Sequence, residues 1–339
     1  MTRRTRLLAI SVALVATSAL TVPTANAADA TGATTTVMCV TDSMDGGKTT
    51  TVSAQAAAGL EEHTRSYEGP CASFGPEQDL GNGSLRSYTQ LNDDGSPATV
   101  GVAFTHDALA GLPTDMNDRH HCYDVNGDGR IDQNTECVGG YEHPLALPDT
   151  TTAAPGLSTK WVLVNYNPLG HGLPGVYDVP HLDFHFYLKP KSVRDSIRTG
   201  PCGLVINCDD YTKATKPLDA PYMPAGYMDH KEAAEGAMGN HLMDTDDSPE
   251  WHGQPFTHTF MYGDWDGNLL FEEPMITKKW FEGLADHTNE NGCYSINQPA
   301  AWQQAGFYPR RYCIRYRPGR DDFTVSLEDF YSAPAGETQ

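Results

Sequence analysis

The stretch VPHLDFHFYL, residues 179–188, sets His181, Asp183 and His185 on alternate positions, with Leu182, Phe184 and Phe186 between them. Side chains of a strand alternate faces, so the apolar trio enters a core while imidazole, carboxylate and imidazole share the opposite face. Such a face serves one of three ends: metal ligation, acid–base work, or a seam in which Asp183 accepts from a ring N–H and only holds the fold. Residues two apart on one face are separated by about 6.5–7 Å, and residues four apart by about 13 Å. His181 and His185 therefore do not ligate one ion from a flat strand, whereas Asp183 can join either. Further donors have to come from elsewhere, and the candidates are His171 in GHGLPG, His241 in MGNH, His258 in FTHTF, and Glu272 or Glu273. A set of this kind accommodates zinc or another divalent transition metal. The metal reading demands that His171, His241 or His258 come within about 3–4 Å of a polar atom on this face.

A second constellation is CYDVNGDGRIDQNTEC, residues 122–137. Asp124, Asn126 and Asp128 fall on positions one, three and five of an EF-hand-type loop. Gly129 supplies the turn at six, Arg130 its carbonyl at seven, and Asp132 position nine. These offsets predict a calcium loop. Position twelve, where a bidentate Glu belongs, is Thr135, with Glu136 one residue late; Cys122 and Cys137 flank the loop in place of helices. The competing reading is an Asx/Gly-rich turn without an ion.

The elements that must carry these residues read as strands. TTTVMCVTD and KTTTVS flank Asp45-Gly46-Gly47, LRSYTQL and ATVGVAFT flank Asn92-Asp93-Asp94-Gly95, and FTHTFMYG and NLLFEE flank Asp266-Gly267. Alternating runs around Asx-Gly turns predict antiparallel hairpins. Helical signals are few: HKEAAEGAM (230–238), and a run beginning at Pro274. The expected fold is mainly β, an antiparallel barrel or sandwich with a few short helices, stapled by disulfides.

The eight cysteines, Cys39, Cys71, Cys122, Cys137, Cys202, Cys208, Cys293 and Cys313, show no CxxC metal spacing. Pairing in sequence order is the simplest scheme, each bond closing one local loop, and it requires Cα separations within roughly 7 Å. Arg3, Arg4 and Arg6 precede an apolar run and Ala25-Asn26-Ala27, the pattern of a secretory signal peptide over residues 1–27. An even cysteine count behind such a leader fits the oxidising extracellular space. Removing the leader lowers 23 cations to 20 against 44 acids, so the net charge moves from −21 to −24. That charge repels nucleic acid and anionic membranes, and neither is an expected partner. The expected organisation is an N-terminal β-hairpin extension over 28–80, a principal β domain over 81–331 with the calcium loop as an insertion at 116–140, and a flexible tail over 332–339.

NPLGHGLPGVYDVPHLDFHFYL resembles the signature of an uncharacterised family of secreted bacterial proteins, known from Thermus and other bacteria. LNDDGSPATVGVAFTHDALAGLP, AMGNHLMD and FTHTFMYGDWDGNLLFEEPMIT resemble its other blocks. The resemblance spans roughly residues 81–115 and 157–331. It implies a shared fold and polar pattern but no reaction. Leu242 departs from it, standing where the family tends to carry an aromatic residue after the histidine.

Several catalytic patterns are missing from the sequence: GxSxG, HExxH and a phosphate-binding glycine loop. Adjacent acids such as Glu272-Glu273 point to opposite faces of a strand and cannot flank one glycosidic bond. The sequence therefore supports a secreted protein binding a divalent metal around residues 171–185, open to metal-assisted catalysis on a small molecule or polymer. The rival is a non-catalytic protein whose polar seam shapes the fold, a ligand-binding barrel or a homo-oligomer.

Overall fold

In the computed structural model, residues 34–336 are described, apart from Pro174 and the side chains of residues 152 and 153; the expected leader, residues 1–27, lies outside them. The three sequence-derived hairpins form. Thr35–Val40 pairs with Lys48–Ser53, Gly83–Leu91 with Pro97–Thr105, and His258–Trp265 with Asn268–Thr277. Strand pairs are antiparallel throughout, and two seven-stranded sheets dominate.

The sheet that carries the opening motif runs, edge to edge, Tyr227–Asp229, Asn240–Asp244, His258–Trp265, Asn268–Thr277, His181–Tyr187, Trp161–Asn167 and Tyr141–Leu145. The second sheet runs Gly292–Ser295, Arg311–Arg317, Asp322–Glu328, Pro97–Thr105, Gly83–Leu91 and Ser73–Phe74, with Gln78–Leu80 also paired to Gly83–Leu91. Their inner faces share one core. Leu182, Phe184, Phe186, Val162, Val164 and Ile276 meet Val100, Val102, Phe104, Phe323, Val325 and Leu327. The architecture is a sandwich, and of the two expected alternatives the barrel is the one not adopted.

The four disulfides follow the sequence-order pairing: Cys39–Cys71, Cys122–Cys137, Cys202–Cys208 and Cys293–Cys313, with Cα separations of 4.6, 4.0, 5.1 and 4.0 Å. Thr35–Val40, Lys48–Ser53 and Tyr67–Glu68 form a small sheet of their own. Arg320 ties it to the sandwich through the carbonyls of Met44 and Arg65. Among the described residues no helix is long and apolar enough to cross a membrane.

Two expected helices are corrected. Residues 230–238 form only a short 3-10 turn, Lys231–Ala233, because the chain turns sharply at Gly236 and Gly239. The run from Pro274 is strand as far as Thr277, and the helix is Lys278–Ala285, capped where the Thr277 hydroxyl accepts from the Trp280 N–H. Pro274 offers no N–H to a sheet ladder. The cross-strand pairs accordingly stop at Asp183↔Met275 and resume at Phe186↔Glu272. At the C-terminus, Tyr331–Ala333 pairs with Gly306–Tyr308, so strand order extends into the stretch expected as a tail.

Candidate metal centre

The alternation of His181–Tyr187 works as the sequence requires. Leu182, Phe184 and Phe186 enter the inter-sheet core, and His181, Asp183 and His185 lie on the outer face of the sheet. That outer face is nevertheless fully covered, with none of the three exposed to solvent. Two segments form the cover. The chain between 190 and 239 packs Ile197, Ile206, Ala234 and Met238 over Trp161, Leu163, Tyr187 and Phe271. The loop around residues 170–178 brings Tyr177 over Met243, Met261 and Met275. At Gly170 this loop nearly touches itself, and a Cβ there would stand 1.9 Å from the Tyr177 carbonyl oxygen at a φ of +78°. Only glycine fits, and the adjacent residue it delivers to the sheet is His171.

Two triads result. In the first, the His171 Nε2–H donates to Asp183 Oδ2 at 3.0 Å, and His181 Nε2 stands 3.3 Å from Asp183 Oδ1. In the second, His185 Nε2 lies 3.2 Å from Glu273 Oε1, and His241 Nε2 lies 3.8 Å from Glu273 Oε2. Within each triad the donor atoms all lie within 4.8 Å of one another. His181 and His185 fall in different triads, as strand geometry requires. Cross-strand registry supplies the partners. His241 sits opposite Gly263, whose lack of a side chain admits the Phe271 ring (a Cβ would meet it at 2.2 Å). Phe271 then packs edge-on against His185 at 4.7 Å and beside His241 at 5.3 Å, fixing both rings.

The hydrogen-bond inventory is unusual. His181 donates its Nδ1–H to the Val179 carbonyl, and His241 donates its Nδ1–H to the Ala233 carbonyl. Each ring is thereby held in the tautomer whose Nε2 carries a free lone pair. Those Nε2 atoms, both His185 ring nitrogens, Asp183 Oδ1 and both Glu273 oxygens are buried with no hydrogen-bond partner. Buried polar atoms are almost always satisfied, and leaving one unsatisfied costs about 1–3 kcal/mol. Short separations without hydrogen-bond alignment are what ligands of a common ion show.

Charge points the same way. Glu235 Oε1 accepts from the Gly139 N–H, and its Oε2 lies 3.9 Å from His171 Nδ1, adding a third carboxylate to Asp183 and Glu273. Arg194, the guanidinium on this side, is engaged by Glu142, which also takes His121. Burial, reinforced by Asp183 and Glu235, holds the Glu273 carboxyl far above the usual carboxylate range. Burial pulls His185 down to about 3 and His181 down to about 4, so both rings stay neutral and ready to ligate at mildly acidic pH. For His171, burial opposes protonation, but the hydrogen bond and charge of Asp183 outweigh it and raise the ring to about 9. Asp183, against the opposing pull of burial, is lowered to about 2 by His181, His171 and His185. The metal-free site thus favours a His171–Asp183 ion pair and biases Glu273 toward its protonated form.

A cavity of about 230 Å³ opens beside the triads, with His171 and His241 in its wall together with Glu235, Met243, Met261 and Met275. A neighbouring cleft of about 510 Å³ shares His171 and Glu235 and reaches Thr135 and Cys137 of the disulfide loop. His171, a quarter exposed, stands between them. The larger cavity of about 640 Å³ lies on the other sheet, where Arg311 and Arg315 are already bonded to Glu328.

Two sequence candidates sit elsewhere. Glu272 and His258 point to the inter-sheet side, in register with Phe186 and Ile276. His258 Nδ1 bonds the Tyr312 hydroxyl at 2.9 Å and stacks near Tyr294 and Trp280. Burial lowers its pKa to about 4. Between about pH 6.5 and 4 the unfolded chain binds a proton there that the folded chain refuses, so stability falls as pH falls through that window. His258→Gln is expected to flatten this acid limb by about 2–3 kcal/mol, allowing for partial exposure; urea midpoints at pH 7 and 4.5 that drop equally in both proteins would refute it.

In the 122–137 loop, Asp124 accepts from the N–H groups of Gly127, Asp128 and Gly129, and Asp128 accepts from Arg130 N–H. Glu136 is buried and accepts from Val125, Asn126 and Asp132 N–H, closing the loop from within. Sequence reasoning missed Glu235, which lay inside the expected 230–238 helix; the Gly236 and Gly239 beside it were the available signal. Compared with family models, curated proteins and solved structures, the chain finds no match.

Proposed function

We propose that the protein is a secreted metalloprotein whose covered outer-face centre holds a divalent transition metal and acts on a small molecule. One observation carries the reading: His181 Nε2 and Asp183 Oδ1 in one triad, and both His185 nitrogens, His241 Nε2 and both Glu273 oxygens in the other, are buried without hydrogen-bond partners, two of the rings being locked by backbone carbonyls. Two imidazoles with one carboxylate form the ligand set of catalytic zinc and of non-haem iron(II), each leaving a coordination position for substrate or water. The adjoining cavity, walled by His171 and His241, has room for a small molecule rather than a polymer chain. Four disulfides fit the oxidising compartment that the N-terminal leader pattern suggests. The kinship with the secreted bacterial family is part of this proposal and rests on the shared motifs.

Elemental analysis of protein purified without added metal tests the reading. Near-stoichiometric zinc, iron, manganese or copper is expected, removed by chelator and restored on reloading. Protein that neither retains nor regains any of them is a structural seam.

For the disulfide loop we propose calcium at Asp124, Asn126, Asp128, Asp132 and the Arg130 carbonyl, supported by their offsets and by the left-handed turns at Gly127 and Gly129. Calcium is expected to raise the melting temperature of the unmutated protein and to lose that effect in Asp128→Ala. An unchanged melting temperature in chelator would leave the loop a turn.

A further inference from the structure

We infer that the outer face binds two divalent ions, one in each triad, with a ligand cavity reaching both. The inference rests on the metal-binding reading above and goes beyond it in number and arrangement. Ligand chemistry is duplicated: His171, His181 and Asp183 on one side, His185, His241 and Glu273 on the other, each two imidazoles and a carboxylate within 4.8 Å. A single ion cannot use both sets, because His181 and His185 start about 13 Å apart along one strand. Each triad contains one ring tautomer-locked by a backbone carbonyl, Val179 for His181 and Ala233 for His241. A device that merely set the path of one strand has no need of the second.

The buried charge accommodates two ions. Asp183, Glu235 and Glu273 are buried together, and the nearby Arg194 is taken by Glu142. Against neutral imidazoles, these three carboxylates offset three of the four positive charges that two divalent ions bring. The cavity joins the halves, since His171 of one triad and His241 of the other both line it, with Glu235 in the same wall. A ligand there can reach both ions at once, the arrangement by which two-metal sites clamp a reacting group. The alternative is one ion at His185, His241 and Glu273, with the first triad only hydrogen-bonded; the Asn167 amide and His171 both donate to Asp183 Oδ2.

Cobalt(II) titration of the full chain, stripped by chelator, separates these outcomes through the visible absorption of the bound ion. The unmutated protein is expected to reach its endpoint at two equivalents, and His181→Gln and Glu273→Gln at one each. An endpoint at one equivalent, abolished by Glu273→Gln and untouched by His181→Gln, overturns the second ion while leaving the metal reading intact. An endpoint of zero overturns both. If Glu273→Gln fails to fold by near-ultraviolet circular dichroism, His241→Gln replaces it with the same expected stoichiometry.

Discussion

Phe104→Ala is expected to lower the unfolding free energy by about 3–5 kcal/mol, measured by urea denaturation of the metal-free protein. Phe104 is buried on the inner face of Pro97–Thr105 and joins three elements. Its ring stacks on Phe323 at 5.1 Å within its own sheet, meets Phe281 of the Lys278–Ala285 helix edge-on at 5.0 Å, and lies 6.1 Å from Phe184 of the opposite sheet. Truncation removes the aromatic area and leaves a void that three rigid rings cannot collapse into. A domain of ordinary stability, about 5–15 kcal/mol, survives this change only narrowly. Because Phe184 lies between Asp183 and His185 in the chain, the same void loosens the strand that holds both triads. A loss below about 1 kcal/mol would mean that the sheets do not pack through this cluster.

Glu273→Met is expected to act in opposite directions with and without metal. In the metal-free protein Glu273 is fully buried, its carboxyl pushed upward by that burial, and neither oxygen has a hydrogen-bond partner. An apolar side chain of similar volume relieves that burial, so the metal-free variant should be more stable by about 1–3 kcal/mol. In the presence of zinc the order reverses at this triad. An ion at a hundredfold excess over its Kd stabilises the unmutated protein by about 2.7 kcal/mol, and the variant forfeits the share bound by His185, His241 and Glu273. Urea curves in chelator and in zinc measure both arms. A metal-free variant less stable than its parent would show that Glu273 is a structural hydrogen-bonding group, and an undiminished zinc effect would remove it from the ligands.

Much of the fold was legible because its causes are local. The Asx-Gly turns at 45–47, 92–95 and 266–267 fix hairpins through backbone conformation, and the cysteine order matches pairing between chain neighbours. The run at Pro274 misled for a local reason too: proline favours a helix start, yet the ladder tolerated its missing N–H where two strands part. The two faces of VPHLDFHFYL followed from period two alone.

What the sequence by itself determined was that His181, Asp183 and His185 share one face, and that His181 and His185 cannot share one ion. Only the tertiary structure decided which distant groups complete each half. Glu273 reaches His185 and His241 through strand pairing, and His258, of the same residue type and on a neighbouring strand, is turned to the other side by one residue of register. His171 and Glu235 arrive from covering segments, set by close backbone approaches at Gly170 and Gly236 that no periodicity encodes. The covering is the decisive step. An outer sheet face in water would leave these imidazoles and carboxylates solvated and indifferent to one another, and burial leaves their nitrogens and oxygens without hydrogen-bond partners and placed where they could hold a cation.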